Sequence, residues 1–504
     1  MTAPAPPEGA QGGGYRRGVP GDFRERALRG TGWVALSTWV LRLSGLATFA
    51  VLGRLLLPAE IGTAALALGV AGFVAAVLDL GFGTYLVRSR EVDEDDVATA
   101  FWLVLAQAVA ATALVLVLAE PLAAALGEPG LAPVLRAVAP VALLTAPAAV
   151  PTALLLRDLA MRPLALREVV AGLVGAVVGV SAALAGAGVW SIVAQTLAQT
   201  VVATGLVLAL HPWRPRLRFS RPAAVRMARF GLPLLGTSLV QQLRDRVDQF
   251  LLGAVAGTTV LGYWAVATRI LAVVAQATIS VLDQVGLPVF ARSGDDDRRL
   301  ARTFSTATAY ATLALGPAVA AVGALSPVLL PLLFGPQWGP SVVPAQLLCA
   351  AYGVGALSYF ARAVYLTRGR TGLDLALTAV ALVVHVVVVV LAGPHGLVVL
   401  SAALIGESVL LLALHALVLR RVVAVGASAW VPGALALGAS GAAFGGATAV
   451  LQLPGPRAAV VAAAVLAGVV TYTGLVRLLL PALLAEVVRD VRTVLRRRGG
   501  GASG

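Results

Sequence analysis

The chain has 504 residues, 59% of them hydrophobic and only 12% charged, and this leaves no room for a soluble enzyme domain. Its net charge of +14 would point to nucleic acid in a soluble protein, but here the basic residues fall in short loops between apolar stretches and report membrane topology instead. The one cysteine, Cys349, excludes an intrachain disulfide and a Cys-rich metal site.

Residues 1–29 are Gly/Pro-rich and basic without an apolar core, so a disordered cytoplasmic tail is expected rather than a cleavable signal peptide. A bilayer core takes roughly 20 apolar residues per helix. Stretches of that kind lie near 31–57, 61–86, 98–119, 134–156, 169–187, 189–210, 232–256, 260–290, 304–325, 341–366, 374–392, 397–419, 430–451 and 458–480. The expectation is an all-α polytopic membrane protein of about 14 spans. Its parts are a tail (1–29), an N-lobe of six spans (30–210), a cytoplasmic linker (211–231), a C-lobe of six spans (232–420), two further spans (421–485) and a basic cytoplasmic tail (486–504).

With the N-terminus inside, every cytoplasmic segment collects arginine: Arg16 to Arg29, Arg88 and Arg90, Arg157 to Arg167, Arg214 to Arg229, Arg292 to Arg302, Arg368 and Arg370, Arg420 and Arg421, and Arg489 to Arg498. The other side has only Arg54, Arg136 and Arg457. Both termini are therefore expected to be cytoplasmic.

The chain also echoes itself at an offset of 200: Leu52-Gly53 and Ile61-Gly62 answer to Leu252-Gly253 and Leu261-Gly262. Beyond that span, Leu78-Asp79 corresponds to Leu282-Asp283, Arg88-Ser89 to Arg292-Ser293, Phe101 to Phe304, and EPLAAALGEP to SPVLLPLLFGP in outline. Repeats of six spans face the same way, which predicts two six-helix bundles about a pseudo-two-fold axis along the membrane normal, an alternating-access architecture.

Ionisable groups at bilayer depth cost about 2.5 to 3.5 kcal/mol each on insertion scales, so they are candidates for function. The seventh span carries SLVQQLRDRVDQFLL, with Gln241, Gln242, Arg244, Asp245, Arg246, Asp248 and Gln249 inside an apolar helix. Arg244 and Asp248 stand i, i+4, as do Gln241 and Asp245, so the set shares one broad face. Such a face can line a cargo path, hold lobes together by Arg-Asp pairs, or exchange partners between states. Arg42 lies about 16 Å into its span with no acid within a turn, and Arg269 is similarly deep in the eighth. A deep arginine is a fixed two-pronged cation suited to phosphate or carboxylate, so Arg42, Arg269, Arg244 and Arg246 are the candidate substrate-binding cations. Gln241, Asp245, Asp248 and Gln249 are candidate cavity or gating groups, and Asp79, Asp283 and Glu407 candidate lobe-contact acids. Arg362 and Arg477 lie near span ends and can snorkel to the surface.

No phosphate-binding glycine loop is present, which argues against an ATP-driven pump. The acidic runs Asp93-Asp96 and Asp295-Asp297 contain a D-x-D spacing, but at repeat-related loop positions they read as solvated turns. His211, His385, His395 and His415 show no metal-ligand spacing, and Gly172, Gly175 and Gly179 suggest close helix packing. No metal and no cofactor is expected.

Several segments, over about residues 25–420, resemble a known family. GRLLLPAEIGTAALALG with LDLGFGTYLV, VPTALLLRDLAMRPLALRE, DQFLLGAVAGTTVLGYWAVATRI and PVLLPLLFGPQWGPSVVP are similar, in this order, to signatures of Wzx-type polysaccharide flippases of the multidrug/oligosaccharidyl-lipid/polysaccharide (MOP) superfamily, nearest the teichuronic-acid and colanic-acid exporters. Leu57 replaces the usual Gly before Pro58, and Ile61 a common aromatic. The resemblance implies a MATE-like two-lobe fold in the cytoplasmic membrane of a bacterium. It also implies export of polyprenyl-diphosphate-linked oligosaccharide without covalent chemistry, with membrane lipid, a polysaccharide polymerase and glycosyltransferases as partners. Its rivals are a cation-coupled multidrug antiporter of the same fold, which would want acids in the cavity, a membrane polymerase or glycosyltransferase, which would want larger outside loops, and a non-transport scaffold for polysaccharide assembly.

The charge pattern places Ser220 on the cytoplasmic side. In a Cys349→Ser background, Ser220→Cys is expected to resist an impermeant thiol reagent in intact cells and to react once they are opened; labelling from outside would invert the topology.

Overall fold

A computed structural model describes residues 20–78, 81–89, 91–291, 296–423, 425–454, 456–486 and 489. The described part is all helix and loop, and a helix lets each backbone segment satisfy its own polar groups in hydrocarbon. The elements, in order, are α1 (Pro20–Leu55), α2 (Pro58–Leu78), α3 (Phe82–Arg88), α4 (Glu94–Ala125), α5 (Leu131–Val138), α6 (Pro140–Arg157), α7 (Met161–Leu184), α8 (Trp190–Leu210) and α9 (Arg221–Ala291). There follow α10 (Asp297–Phe334), α11 (Val342–Leu357), α12 (Ala361–Thr367), α13 (Thr371–Ala392), α14 (Leu397–Val423), α15 (Val431–Val450) and α16 (Arg457–Leu479).

Among the described residues, 12 helical stretches are long and apolar enough to cross a membrane. The shortfall from 14 has two sources. Most of the first expected span falls in α1, whose side chains are described only from Thr38 onward. The seventh and eighth spans run together in α9, where Arg246–Gln276 is the qualifying stretch. The continuity is nominal, because Gly257 (φ 82°, ψ 171°) breaks the helix in a conformation that favours glycine. One expectation is corrected at the N-terminus: the tail expected to be disordered through residue 29 is already helical from Pro20. Proline suits a first helical position, and FRERALR supplies good helix formers behind it.

By internal contacts the chain divides into two compact units, Met1–Gly262 and Tyr263–Gly504. The expected lobe boundary was the 211–231 linker; the contact boundary falls inside α9 because the segment up to Gly262 packs on α2. There, an added Cβ on Gly62 would lie 1.8 Å from the Thr258 carbonyl oxygen, and one on Gly262 would lie 1.9 Å from that of Pro58. The contact is reciprocal at the repeat offset, since Pro58 and Thr258, like Gly62 and Gly262, stand 200 apart. Residue i meeting j+200 while j meets i+200 is the signature of a two-fold. Burial follows the same register: Leu52 and Leu252, Ile61 and Leu261, Leu66 and Val266, and Ala67 and Ala267 are all buried.

Within the first unit, α7 packs on α8 and on α1 through its small residues. Gly175 and Gly179 admit Gln199 and Gln195, and Gly172 admits Leu41, which is the close packing expected of that glycine run. Within the second unit, α10 packs along α11 and α15, and α16 lies on α15. Ser440 of α15 sits against Gly316, and Leu437 against Gly353.

The two acidic runs are helix starts rather than solvated turns. Asp93 accepts from the Asp96 amide at 2.6 Å in a capping box, and Asp296 accepts from the amides of Arg298 and Arg299 at 2.8 and 3.2 Å. Those amide bonds, Arg299 first, hold the Asp296 carboxyl below its ordinary range. Asp96, buried, also pairs with Arg226 at 2.7 Å, which ties the start of α4 to the start of α9.

Gly62→Ala should cost about 1–3 kcal/mol of overpacking and lower the melting temperature in detergent. Gly406→Ala, in open space on α14, should not. Equal melting temperatures would show that the crossing can relax.

Candidate functional site

A cavity of about 920 Å³ lies in the first unit among α3, α4, α6, α7 and α8. Alanine makes the space: Ala108, Ala111, Ala142, Ala146, Ala149 and Ala203 line it without filling it. The polar groups form two sets. At one end, where α3 finishes and α7 begins, stand Arg88, Arg167 and Glu168. Along the walls are Thr84, Gln107, Thr145, Thr152, Thr196, Gln199, Thr200 and Thr204.

Local structure sets each group. Thr196, Gln199, Thr200 and Thr204 recur at helical spacing and so share one face of α8. Thr196 and Thr200 donate back to the carbonyls of Ile192 and Thr196, each at 2.8 Å, and Thr204 donates across to Leu144 O on α6 at 2.9 Å. With its proton spent on a carbonyl, a hydroxyl offers lone pairs to a guest, so this wall accepts hydrogen bonds. Gln107 and Gln199 add amides that can donate or accept. The Arg167 side chain is 17% exposed; it donates from Nη1 to Thr152 Oγ1 at 2.9 Å and from Nη2 to Glu168, while its buried Nε has no partner. Arg157, buried, donates from Nη1 to the carbonyls of Leu86 and Ser89 at 2.7 and 2.6 Å. That closes the C-terminal end of α3 and fixes where Arg88 leaves the helix.

Outside the span, Tyr85 and Asp96 hydrogen-bond Arg226 and push its already high value up, so it stays a cation at the foot of α3. His211 beyond α8 goes the other way, burial lowering its value, and its Nδ1 accepts the Trp213 amide at 3.1 Å. That bond requires the neutral ring, so this contribution to stability is present above the ordinary histidine range and is lost as pH falls below it.

Of the arginines singled out by depth, Arg42, Arg246 and Arg269 do not line this cavity. Arg42, half-buried on α1, lies 5.8 Å from the centre of the Trp39 ring. Arg246 hydrogen-bonds Gln249 at 3.3 Å, and the pair turns to α2, where Gly69 and Gly72 make room and Phe73 meets Phe250 edge-on at 5.5 Å. Arg269 and Asp248 are half-buried in α9, each with an interaction of its own. Glu407 pairs with His385 between α13 and α14, inside the second unit. Asp79 lies outside the described residues, and so do the side chains of Gln241, Arg244, Asp245 and Asp283. Conversely, Arg88 and Arg167 carried only a topology signal in the sequence. The threonine-glutamine face of α8 carried a usable one in its spacing of four. Among the described residues, no cluster of three or more His, Cys, Asp or Glu is placed to hold a metal ion.

Fold and cavity together define the class: an all-helical, multi-pass membrane protein of the MOP-type fold. The lipid II flippase MurJ superposes with a TM-score of 0.69 at 12% identity, over 89% of this chain and 99% of that one. A family profile described as polysaccharide biosynthesis protein matches residues 51–343, and the chain belongs to that family. It is 29% identical over 329 residues to the succinoglycan biosynthesis transport protein ExoT of Rhizobium meliloti (strain 1021), covering 65% of this chain and 66% of that protein, just under two thirds of its length. It is 22% identical over 333 residues to the lipopolysaccharide biosynthesis protein WzxC of Escherichia coli (strain K12), covering 65% and 67%. The resemblance carried by the sequence motifs is thereby borne out.

If the cavity holds water, then in a Cys349→Ser background Ala149→Cys and Ala203→Cys should react with a hydrophilic maleimide in opened membranes. Val193→Cys, 4% exposed, should not. Protection of both cavity positions would mean that the space is closed to water.

Proposed function

We propose that the protein is a flippase that moves polyprenyl-diphosphate-linked oligosaccharide units across the cytoplasmic membrane of a bacterium for cell-surface polysaccharide synthesis, both termini being cytoplasmic. The observation that carries this reading is the make-up of one cavity: an arginine end against a wall of hydroxyls and amides. A diphosphate asks for fixed planar cations, and a sugar asks for many neutral donors and acceptors. Arg88 and Arg167 suit the first, and the threonines with Gln107 and Gln199 the second. The arginine distribution puts the cationic end on the cytoplasmic side, where such a lipid-linked unit is presented. The prenyl tail stays in lipid while the lobes exchange access. A polymerase and glycosyltransferases are the partners this role calls for.

The roles for which relatives are named support the reading: one is a succinoglycan biosynthesis transport protein, and a structural neighbour is a lipid II flippase. A cation-coupled drug antiporter of the same fold is the second reading, and Glu168 is the observation in its favour. Glu168 is already engaged by Arg167, however, so the cavity offers cargo more cation than acid. Arg42 and Arg269 stay within the proposal as cations met elsewhere on the path.

Arg167→Ala is expected to leave abundance near normal and to slow export of lipid-linked glycan by about 10- to 100-fold, the loss of one charge-assisted contact. Arg167→Lys should recover only part of it, since the planar fork is gone. Arg42→Ala and Arg269→Ala form a second arm of the same assay in reconstituted vesicles. Parental rates for Arg167→Ala and Arg88→Ala together would refute the cavity assignment, and parental rates for the second arm would make Arg42 and Arg269 structural.

A further inference from the structure

One pair of ionisable groups inside the spans is not used by the cavity. His385 of α13 places Nδ1 at 3.0 Å from both carboxylate oxygens of Glu407 on α14. Glu407 is 9% exposed and His385 21%. Both are far from span ends: His385 lies about 10 Å along the helix from Ala392, and Glu407 about 15 Å from Leu397. We propose that His385 and Glu407 form a proton-binding site in the membrane, where a proton gradient enters the transport cycle. This rests on the transport reading above.

The argument is one of charge. Histidine and glutamate sharing one proton are neutral as a pair. Without that proton the site carries a net negative charge in hydrocarbon, and with a second proton it carries a net positive one. Either charged state costs several kcal/mol unless water or a counter-ion reaches it. The pair therefore keeps a single shared proton while shielded and gives it up only in a state that admits water. A proton whose release depends on the state of the helices is what coupling requires.

The other titratable and charged groups on the elements packed against α13 and α14 are accounted for. Asp374 is held by Arg362 at 3.2 Å, and His415 meets Tyr365 of α12 at 3.0 Å, about 12 Å along α14 from Glu407. Arg420 and Arg421 lie in the last turn of α14, and His395 follows the end of α13. On α11 the groups are Cys349 and Tyr352, and on α10 Tyr310 and the charges of its first turns, Asp297 to Arg302, with Asp297 paired to Arg368.

The test uses the full chain in lipid nanodiscs and needs no cargo. Infrared difference spectra between about pH 5 and pH 8 should show carboxyl and imidazole signals that titrate together. Both should vanish in Glu407→Gln and again in His385→Gln, and return in the exchange variant His385→Glu with Glu407→His. Signals that titrate separately, or survive either single substitution, overturn the site, as does a parent that takes up no proton over this range. In glycan-export vesicles the parental rate should rise at least several-fold with an imposed pH gradient, and Glu407→Gln should lose that response. A Glu407→Gln rate that follows the gradient as the parent does overturns the coupling role. Absence of export in the parent counts against the flippase reading, and the cargo-free titration still decides the proton site.

Discussion

The constraint on which the rest depends is the absence of water in the bilayer core. Every amide and carbonyl must be satisfied by its own helix or by a protein neighbour. The chain is accordingly helical through most of the described apolar stretches, and the break in α9 is supplied with a partner. At Gly257 the helix stops and restarts, and the freed amide of Thr258 donates to Glu128 at 3.1 Å while its hydroxyl donates to the same oxygen at 2.8 Å. A carboxylate on a loop thus does the work that a serine or aspartate N-cap does in a soluble helix. The same interruption brings Thr258 and Gly262 against Pro58 and Gly62, so that the repeat closes on itself through bare backbone.

The same rule makes polar space informative. Hydroxyls and amides facing a void in a membrane protein are kept only where something visits them, and here they gather in one cavity of the first unit. The second unit holds a smaller pocket of about 400 Å³ among α10, α11 and α15, lined by Gly316, Val319, Gly323, Leu437 and Gly441 and thus almost wholly apolar. Helix α15 accounts for the difference, since Leu437 and Ser440 sit against glycines of α11 and α10. The last two spans, whose role composition left open, cover one face of the second unit.

The family motifs divide in the same way. Gly62, Gly262 and the FGPQWGP segment are scaffold: Trp338 is fully buried, and Ser341 donates to the Tyr263 carbonyl at 2.9 Å. Such residues recur in a fold because close backbone approach tolerates no substitute. They say which family the chain belongs to and little about its cargo, which is read by side chains that line the open space.

The sequence by itself determined the class and the approximate spans, and pointed to their sides and to a repeat, because hydropathy over a span length and arginine in loops are cumulative signals that no single contact can reverse. It also found that charges inside the membrane need company, though it did not say whose. Only the tertiary structure decided that Arg246 turns to Gln249 and the glycines of α2, that Glu407 goes to His385, and that Arg167, read as a loop marker, lies half-buried at the end of a cavity. The threonines of α8 were quiet for a physical reason: a hydroxyl that bonds the carbonyl one turn back costs a membrane helix little, so it leaves no trace in hydropathy. Which face of a helix looks into a void depends on five helices drawn from more than a hundred residues of chain, and no local pattern contains that information.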